Sequence, residues 1–476
     1  MAPSSKIDPS RRPDVAIVYS ESSSHSGESY NLAHYLCGLL AEAGFSNLFM
    51  IGIDAHTGGP ALQLAPSKRI LFPRVAGGRA AAGDPYSRKN LVEIPAADVT
   101  PAYLDKIQTC NVVIVTVNSD DMTPLKRQLV DMLDPKRQGA PRSTTIFSIQ
   151  RGVRNAMVIK DAFTGRKDIA VVEGVVGFAV VVHPKTGAFC PTLSRPAVVF
   201  ERLSKEIEDI ADGPLRLLEH TSMETMFDKT LTPYSWGVMV WENLYALNVV
   251  AGGSIRDTLL LSSSARGGHG HGAAAATPAA AAAATVAATR LLLAAMTREC
   301  RVALTAAARG GQWRPQFRLQ STWLSPWLWE MLLVLPGGGS LGLLRLACWF
   351  LDVLPSEGVI SPGQLDLAEG RRTMVDCHLG ELLATGRRNS VAMPVCAAVA
   401  ARIAKMETGV RECKPGAGQG SAADVLDLLR EAEEALGATV ATLASKSKAE
   451  CKFWLVRLVA LLSLLPVLWF LLVHDY

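Results

Sequence analysis

Trp236 to Gly253, WGVMVWENLYALNVVAGG, is the stretch around which the chain is organised. It reads as one long helix, apolar nearly all round, which in a soluble domain means a buried helix. Yet it carries Glu242, Asn243 and Asn248 among Trp, Val, Met, Leu and Tyr. Buried polar side chains need hydrogen-bond partners or a wet cavity beside them. Two readings follow. In one the asparagines bond neighbouring backbone inside a core; in the other they face a cleft and form part of a binding site.

Outward from this helix the two halves of the chain differ in period. On the N-terminal side, Val15–Tyr19, Leu48–Ile51, Cys110–Val117 and Thr144–Ile149 are short continuous apolar runs. Such runs are typical of strands covered on both faces. Tyr30–Gly44 shows helical spacing and ends on a glycine, so the opening is a strand–helix–strand unit of a parallel α/β sheet. Pro124–Leu133 supplies a further helix, and Ile169–Val182 and Pro196–Phe200 close the first domain with β-rich material. Past that point helices are expected over Asp209–Leu231, from Tyr234 onward, and over Thr289–Ala308, Asp366–Gly386 and Pro394–Thr408. The low-complexity Ala/Gly insertion 262–288 interrupts them. His269 and His271 lie in that tract without acidic or thiol partners, so no metal site is assigned. Residues 323–354 are rich in Leu and Trp, but Pro336 and three successive glycines favour a core hairpin over a membrane span.

After a Gly-rich linker, residues 421–447 form an amphipathic stalk helix. Ser421 and Asp424 cap it, and the apolar face of 422–445 is offered to the domain or to a protein partner. Residues 453–473, FWLVRLVALLSLLPVLWFLLV, follow Lys446, Lys448 and Lys452. Twenty-one residues of helix span about 31 Å, enough for a bilayer core, and the flanking cations predict a cytosolic bulk. A single-pass C-terminal transmembrane helix is therefore expected. The polar N-terminus lacks the apolar segment of a secretory signal. Nine scattered cysteines without a CxxC pair suggest free thiols in a reducing compartment. With 48 basic and 44 acidic residues, a net charge of +4 and no basic stripe, nothing argues for nucleic acid.

Several local strings, in order, resemble the ketopantoate reductase (2-dehydropantoate 2-reductase) family: NVVIVTVNSDDM (111–122), TTIFSIQRGVRNA (144–156), VVEGVVGFAVVVHPKTGAF (171–189) and DLAEGRRTMVDCHLGELLATGRRNSVAMPV (366–395). Trp236-Gly237 and Ala246-Leu247-Asn248 fit the opening of that family's second domain, and 297–311 and 332–344 fall where it has comparable helices. The resemblance covers about residues 13–410 outside the insertion. It implies an α/β Rossmann-like N-terminal domain (13–205) plus an all-α ketopantoate-reductase-type C-terminal domain (206–410). It also implies NADP(H) as cofactor and the NADPH-dependent reduction of 2-dehydropantoate to pantoate in the cleft between the domains.

The family's functional positions carry over poorly. The dinucleotide fingerprint uses glycines for a tight turn and close approach to the pyrophosphate. Here the first strand runs into YSESSSHS (19–26), with Glu21 repelling phosphate and only Gly27 matching the last glycine. Asn118 and Arg151 fall at the family's cofactor-contacting strings, so Gly27, Asn118 and Arg151 are the cofactor-binding candidates, and binding is weakened. The catalytic lysine position holds Val238 and the glutamate position Met374; neither can stabilise a developing alkoxide. Ser361, beside Pro362, is the nearest match to a family serine. Asn243 and Asn248 are the substrate-cleft candidates, with Lys229 and Arg151 as possible replacement cations. The expectation is a membrane-anchored, non-catalytic binding or scaffold homologue with room for a small-molecule ligand. The alternative is an active NADP(H)-dependent 2-oxo-acid reductase with relocated catalytic groups.

Overall fold

The apolar runs of the first half assemble side by side. A computed structural model of the chain describes residues 13–20, 27–53, 69–73, 75–76, 79–80, 91–95, 99–102, 104–134, 143–183, 186–192, 196–219, 221–260, 276–309, 317–319, 322–324, 329–330, 333, 360–412 and 420–436. Its main sheet holds β1 (Val15–Ser20), β2 (Leu48–Ile53), β3 (Val99–Pro101), β4 (Val112–Val115), β5 (Thr144–Ile149), β6 (Ile169–Val176), β7 (Ala197–Glu201) and β8 (Glu224–Asp228). The order across it is β8-β7-β6-β5-β4-β1-β2-β3. Strands β3 to β6 run parallel, with Val15 opposite Leu48 on one side and Val112 on the other. Strand β7 is antiparallel to β6, and β8 is parallel to β7. The inner order 3-2-1-4-5-6 is that of the doubly wound dinucleotide-binding sheet.

Every residue of β1, β4 and β5 is buried. The period of two divides their side chains between two cores. Val15, Ile17 and Tyr19 pack on α1 (Glu28–Glu42) in a cluster that runs on into the second domain. Ala16 and Val18 face the opposite way, with residues of α2 (Met122–Met132) and α3 (Asn155–Ala162).

The stretch Asp209–Leu231 is not one helix. Helix α4 (Lys205–Glu219) ends early, and Glu224–Asp228 becomes β8. The sheet thus continues beyond residue 205. Its ETMFD segment lies part-exposed at the sheet edge and shows no polar–apolar alternation, so nothing in it separates a strand from a helix turn.

The central helix is also two elements, α5 (Thr232–Trp241) and α6 (Asn243–Ala251), meeting at Glu242. The chain keeps its course there: the Glu242 N–H donates to Val238 O at 3.0 Å and the Ala246 N–H to Glu242 O at 2.9 Å. The helical domain adds α7 (Ile255–Leu259), α8 (Ala276–Ala307), α9 (Pro362–Ala368), α10 (Val375–Arg388), α11 (Pro394–Arg411) and α12 (Ala422–Leu436). Helix α6 touches α7, α8, α9, α11 and α12, so it does sit at the centre. Its fully buried Leu244 and Leu247 each contribute about 1.5–3 kcal/mol of apolar burial.

Two further expectations change and a third is narrowed. The second part of the 262–288 insertion is helical, as the start of α8, because a run of alanines is the best helix former available. Asp366–Gly386 is two helices, α9 and α10. Of the two places offered for the apolar face of the 422–445 helix, the described part, α12, takes the domain: Val425, Leu428 and Ala432 are fully buried, and α12 packs on α8 and α11. Gly420 leads into α12 so close to α6 that a Cβ there would lie 2.3 Å from Val249 O, which only glycine avoids. The six cysteines among the described residues, Cys37, Cys110, Cys190, Cys300, Cys377 and Cys396, are free thiols. His269, His271, Glu21, residues 437–447 and the apolar segment 453–473 lie outside the described residues, as does most of 323–354. Among the described residues no helix is long and apolar enough to cross a membrane.

Candidate functional site

In an open doubly wound sheet the ligand crevice lies at the carboxyl ends of the strands where the order reverses. Here that point is between β1 and β4, and polar bonds stitch it. The Asn118 N–H donates to Ser20 Oγ at 2.9 Å, and the Ser20 N–H donates to Ser29 Oγ at 2.8 Å. The Thr116 hydroxyl donates to Val18 O at 3.2 Å. A hollow of about 270 Å³ sits there, lined by Ser29, Thr116, Asn118, Gln150, Arg151 and Met374 among others. A larger cleft of about 420 Å³ lies between the domains and shares Glu28, Arg151 and Met374 with the first.

A buried charge cluster separates the two. Arg151, just past the end of β5, pairs through one nitrogen with Glu28 in the first turn of α1 and through another with Glu242 at the α5–α6 junction. Its guanidinium carbon lies 5.4 Å from the centre of the Tyr245 ring. His378 of α10 places Nδ1 3.5 Å from Glu242 Oε2. Burial, reinforced by the Arg151 charge, pushes its imidazole down to about 3, so it is neutral at physiological pH. Four elements from both domains thus meet at one charged point.

The α1 N-terminus is the place where this fold class seats a pyrophosphate. In this chain a carboxylate occupies it. The Gly27 N–H donates to Asp366 Oδ1 of α9 at 2.9 Å, and Asp366 is also held by Arg371, whose Nε lies 3.0 Å away. A Cβ on Gly27 would lie 2.9 Å from Arg371 Nη2. With Glu28 beside it, the described part of this helix end presents two carboxylates, two guanidiniums (Arg371 and Arg151) already paired with them, and a filled amide. That donor set does not fit a pyrophosphate, which needs free N–H groups and positive charge.

The candidates read from sequence divide accordingly. Asn118 and Arg151 line the smaller hollow and Gly27 does not, though it adjoins Glu28 there; Gly27 and Arg151 are engaged by carboxylates. Met374 lines both cavities. Val238 lines neither; it packs with Val175, Val199, Leu231 and Tyr234. Asn243 lines the cleft and donates to Cys300 Sγ at 3.4 Å. Asn248 is turned into the core: its Nδ2 donates to Thr258 Oγ1 at 2.8 Å, and its Oδ1 accepts the Ser361 N–H at 3.0 Å. Ser361 in turn caps α9. Lys229 is exposed and lines neither cavity. Glu28, Asp366 and His378 were not singled out from sequence; each partner lies far along the chain, so no spacing pattern announces them.

No family model matches the chain, and no curated protein matches it by sequence. Solved structures do. A ternary structure of D-mandelate dehydrogenase with NADH and anilino(oxo)acetate matches 83% of this chain and 99% of its own, at 10% identity and a TM-score of 0.50. A PanE/ApbA family ketopantoate reductase from Ralstonia eutropha JMP134 matches 83% and 99%, at 14% identity and a TM-score of 0.49. A 2-dehydropantoate 2-reductase from Methylococcus capsulatus matches 83% and 97%, at 15% identity and 0.45. At such identities the likeness is one of fold. The Rossmann-like sheet followed by a helical domain, implied by the motif strings, is the fold of this chain.

Proposed function

We propose that this chain is a ketopantoate-reductase-like protein that no longer runs the family reaction and works as a binding or scaffold protein. One observation carries the reading: the Asp366 carboxylate holds the Gly27 N–H at the helix end where the cofactor's pyrophosphate would lie. Glu28 adds a second negative charge there, and the two guanidiniums beside it are engaged, Arg371 by Asp366 and Arg151 by Glu28 and Glu242. Val238 and Met374, at the family's lysine and glutamate positions, offer no proton and no charge. Titrating the full-length chain with NADPH, followed by energy transfer from its tryptophans, is expected to give no binding at millimolar cofactor. Micromolar binding together with ketopantoate-dependent NADPH oxidation would overturn it.

A second reading, an NADP(H)-dependent 2-oxo-acid reductase with relocated groups, draws support from Arg151, Glu242 and His378 meeting beside the cleft. Its weakness is His378, which is neutral and so brings no positive charge to a developing alkoxide. The same titration separates the two.

The reading includes a single-pass membrane anchor over 453–473 with the bulk of the chain cytosolic, supported by the length and apolarity of that segment and its flanking lysines. Carbonate extraction of membranes should leave the full chain in the pellet and release a chain lacking 453–476. Release of both would remove the anchor.

A further inference from the structure

Ser390 stands in the turn between α10 and α11, at the end of Arg387-Arg388-Asn389-Ser390. It is the one serine or threonine of the whole chain with Lys or Arg at both the third and the second position before it. Ser390, Arg387 and Arg388 are all exposed. The Ser390 hydroxyl makes no hydrogen bond among the described residues, and Arg387 has no ion pair among them. Arg388 is in a surface pair with Glu381 at 2.8 Å, of a kind that holds weakly. The Ser390 backbone takes a φ of 54°, the one positive φ outside glycine among the described residues. An L-residue is strained there, so opening the turn relieves a cost. The turn is held by the Ser390 N–H on Arg387 O at 3.2 Å and the Val391 N–H on Gly386 O at 2.9 Å. Both bonds lie at an exposed helix end, which frays readily.

A free hydroxyl two residues behind a pair of exposed guanidiniums suits an enzyme with an acidic substrate groove, because charge pattern sets that choice. We infer that Ser390 is a phosphorylation site for an arginine-directed serine/threonine kinase. The Ser390 oxygen attacks the terminal phosphorus of a nucleoside triphosphate and a new O–P bond forms. The bond from that phosphorus to the leaving diphosphate breaks, and the hydroxyl proton passes to the carboxylate base of the kinase. The product suits its place. A phosphate just past a helix C-terminus meets the negative end of the dipole, but Arg387 and Arg388 in the last turn supply cations to hold it. Other hydroxyls lack part of the pattern. Thr373 directly follows an arginine pair, but it is 6% exposed and donates to Glu407 at 2.6 Å. Ser204 is exposed, with the single Arg202 two positions before it. Ser390 lines neither cavity, so its modification stands apart from the question of cofactor binding.

The test incubates the folded full-length chain with the magnesium salt of ATP and an arginine-directed kinase, and peptide mass spectrometry locates the phosphate. Ser390 is expected to carry it, at a rate about tenfold or more above Ser204. The double substitution Arg387→Ala with Arg388→Ala should slow labelling of Ser390 by about tenfold or more. A kinase that selects acidic surroundings should leave Ser390 bare. No phosphate on Ser390, labelling that needs prior denaturation, a rate unchanged by the double substitution, or equal labelling by the acid-selecting kinase would each overturn it. NADPH binding bears on none of these outcomes, so failure here and failure of the non-catalytic reading are distinguishable.

Discussion

The Asp366 carboxylate accepts the Gly27 backbone N–H at 2.9 Å across 339 positions of sequence, tying the first helix of the sheet domain to the helical domain. Asp366 is 2% exposed, so its bonds to Gly27 and Arg371 are made away from water. Asp366→Ala strands the Gly27 N–H and removes the Arg371 acceptor at 3.0 Å. A stability loss of about 1.5–3 kcal/mol is expected, because the lost bonds involve charged groups. Urea unfolding of the variant against the parent chain measures it, and an unchanged midpoint would mean the contact does not hold the domains.

Asn248 is a structural asparagine. Asn248→Ala leaves the Ser361 N–H and the Thr258 hydroxyl without their shared partner, at a cost of about 1–3 kcal/mol. Because the residue lines neither cavity, ligand affinity in the cleft should stay at the parent value once the variant is folded. Loss of ligand affinity at full stability would put Asn248 back at the site.

Restoring the family's lysine should fail. Val238 is packed among Val175, Val199, Leu231 and Tyr234, so Val238→Lys places an amine in an apolar cluster. A buried lysine has its folded pKa pushed below the unfolded value of about 10.4. The unfolded chain then binds the extra proton, and the destabilisation, about 3 kcal/mol or more at neutral pH, should shrink as pH rises toward 10. Denaturation midpoints at pH 7 and 9.5 test the sign. Ketopantoate-dependent oxidation of NADPH by this variant would contradict both this placement and the proposed function.

Two buried histidines set the acid limit. Burial pushes His378 down to about 3 and His34 to about 4, in the latter case against a Tyr30 backbone hydrogen bond that raises it. Both stay neutral in the folded chain while the unfolded chain protonates them below about 6.5. Their neutral burial therefore costs nothing above that pH. As pH falls through the window each removes about 1.4 kcal/mol per pH unit, down to its folded value. His34→Gln and His378→Phe should each flatten the slope between pH 6.5 and 4.5 by roughly one proton. Identical slopes in parent and variants would refute it.

Some of this architecture was legible residue by residue. Thr144–Ile149 is strand β5 as read, and Val15–Tyr19 differs from β1 only by Ser20, because strands buried on both faces must be continuous apolar runs. The buried stretch around Leu244 and Leu247 was visible for the same reason. Strand β8 was not, since an edge strand with half-exposed side chains has no pattern of its own and takes its conformation from pairing with β7. The break at Glu242 was hidden too: its backbone stays near helical, and what distinguishes the position is the Arg151 and His378 side chains that reach it.

Sequence alone determined the order of the buried strands and of most helices and which of their faces are apolar, because these follow from periodicity and local propensity within a few residues. Only the tertiary structure decided that Asn248 is core, that Val238 lies outside the cleft, and that Asp366 closes on Gly27. Buried polar and charged groups must find partners, and which partner each finds is settled by groups hundreds of residues away that local sequence does not encode.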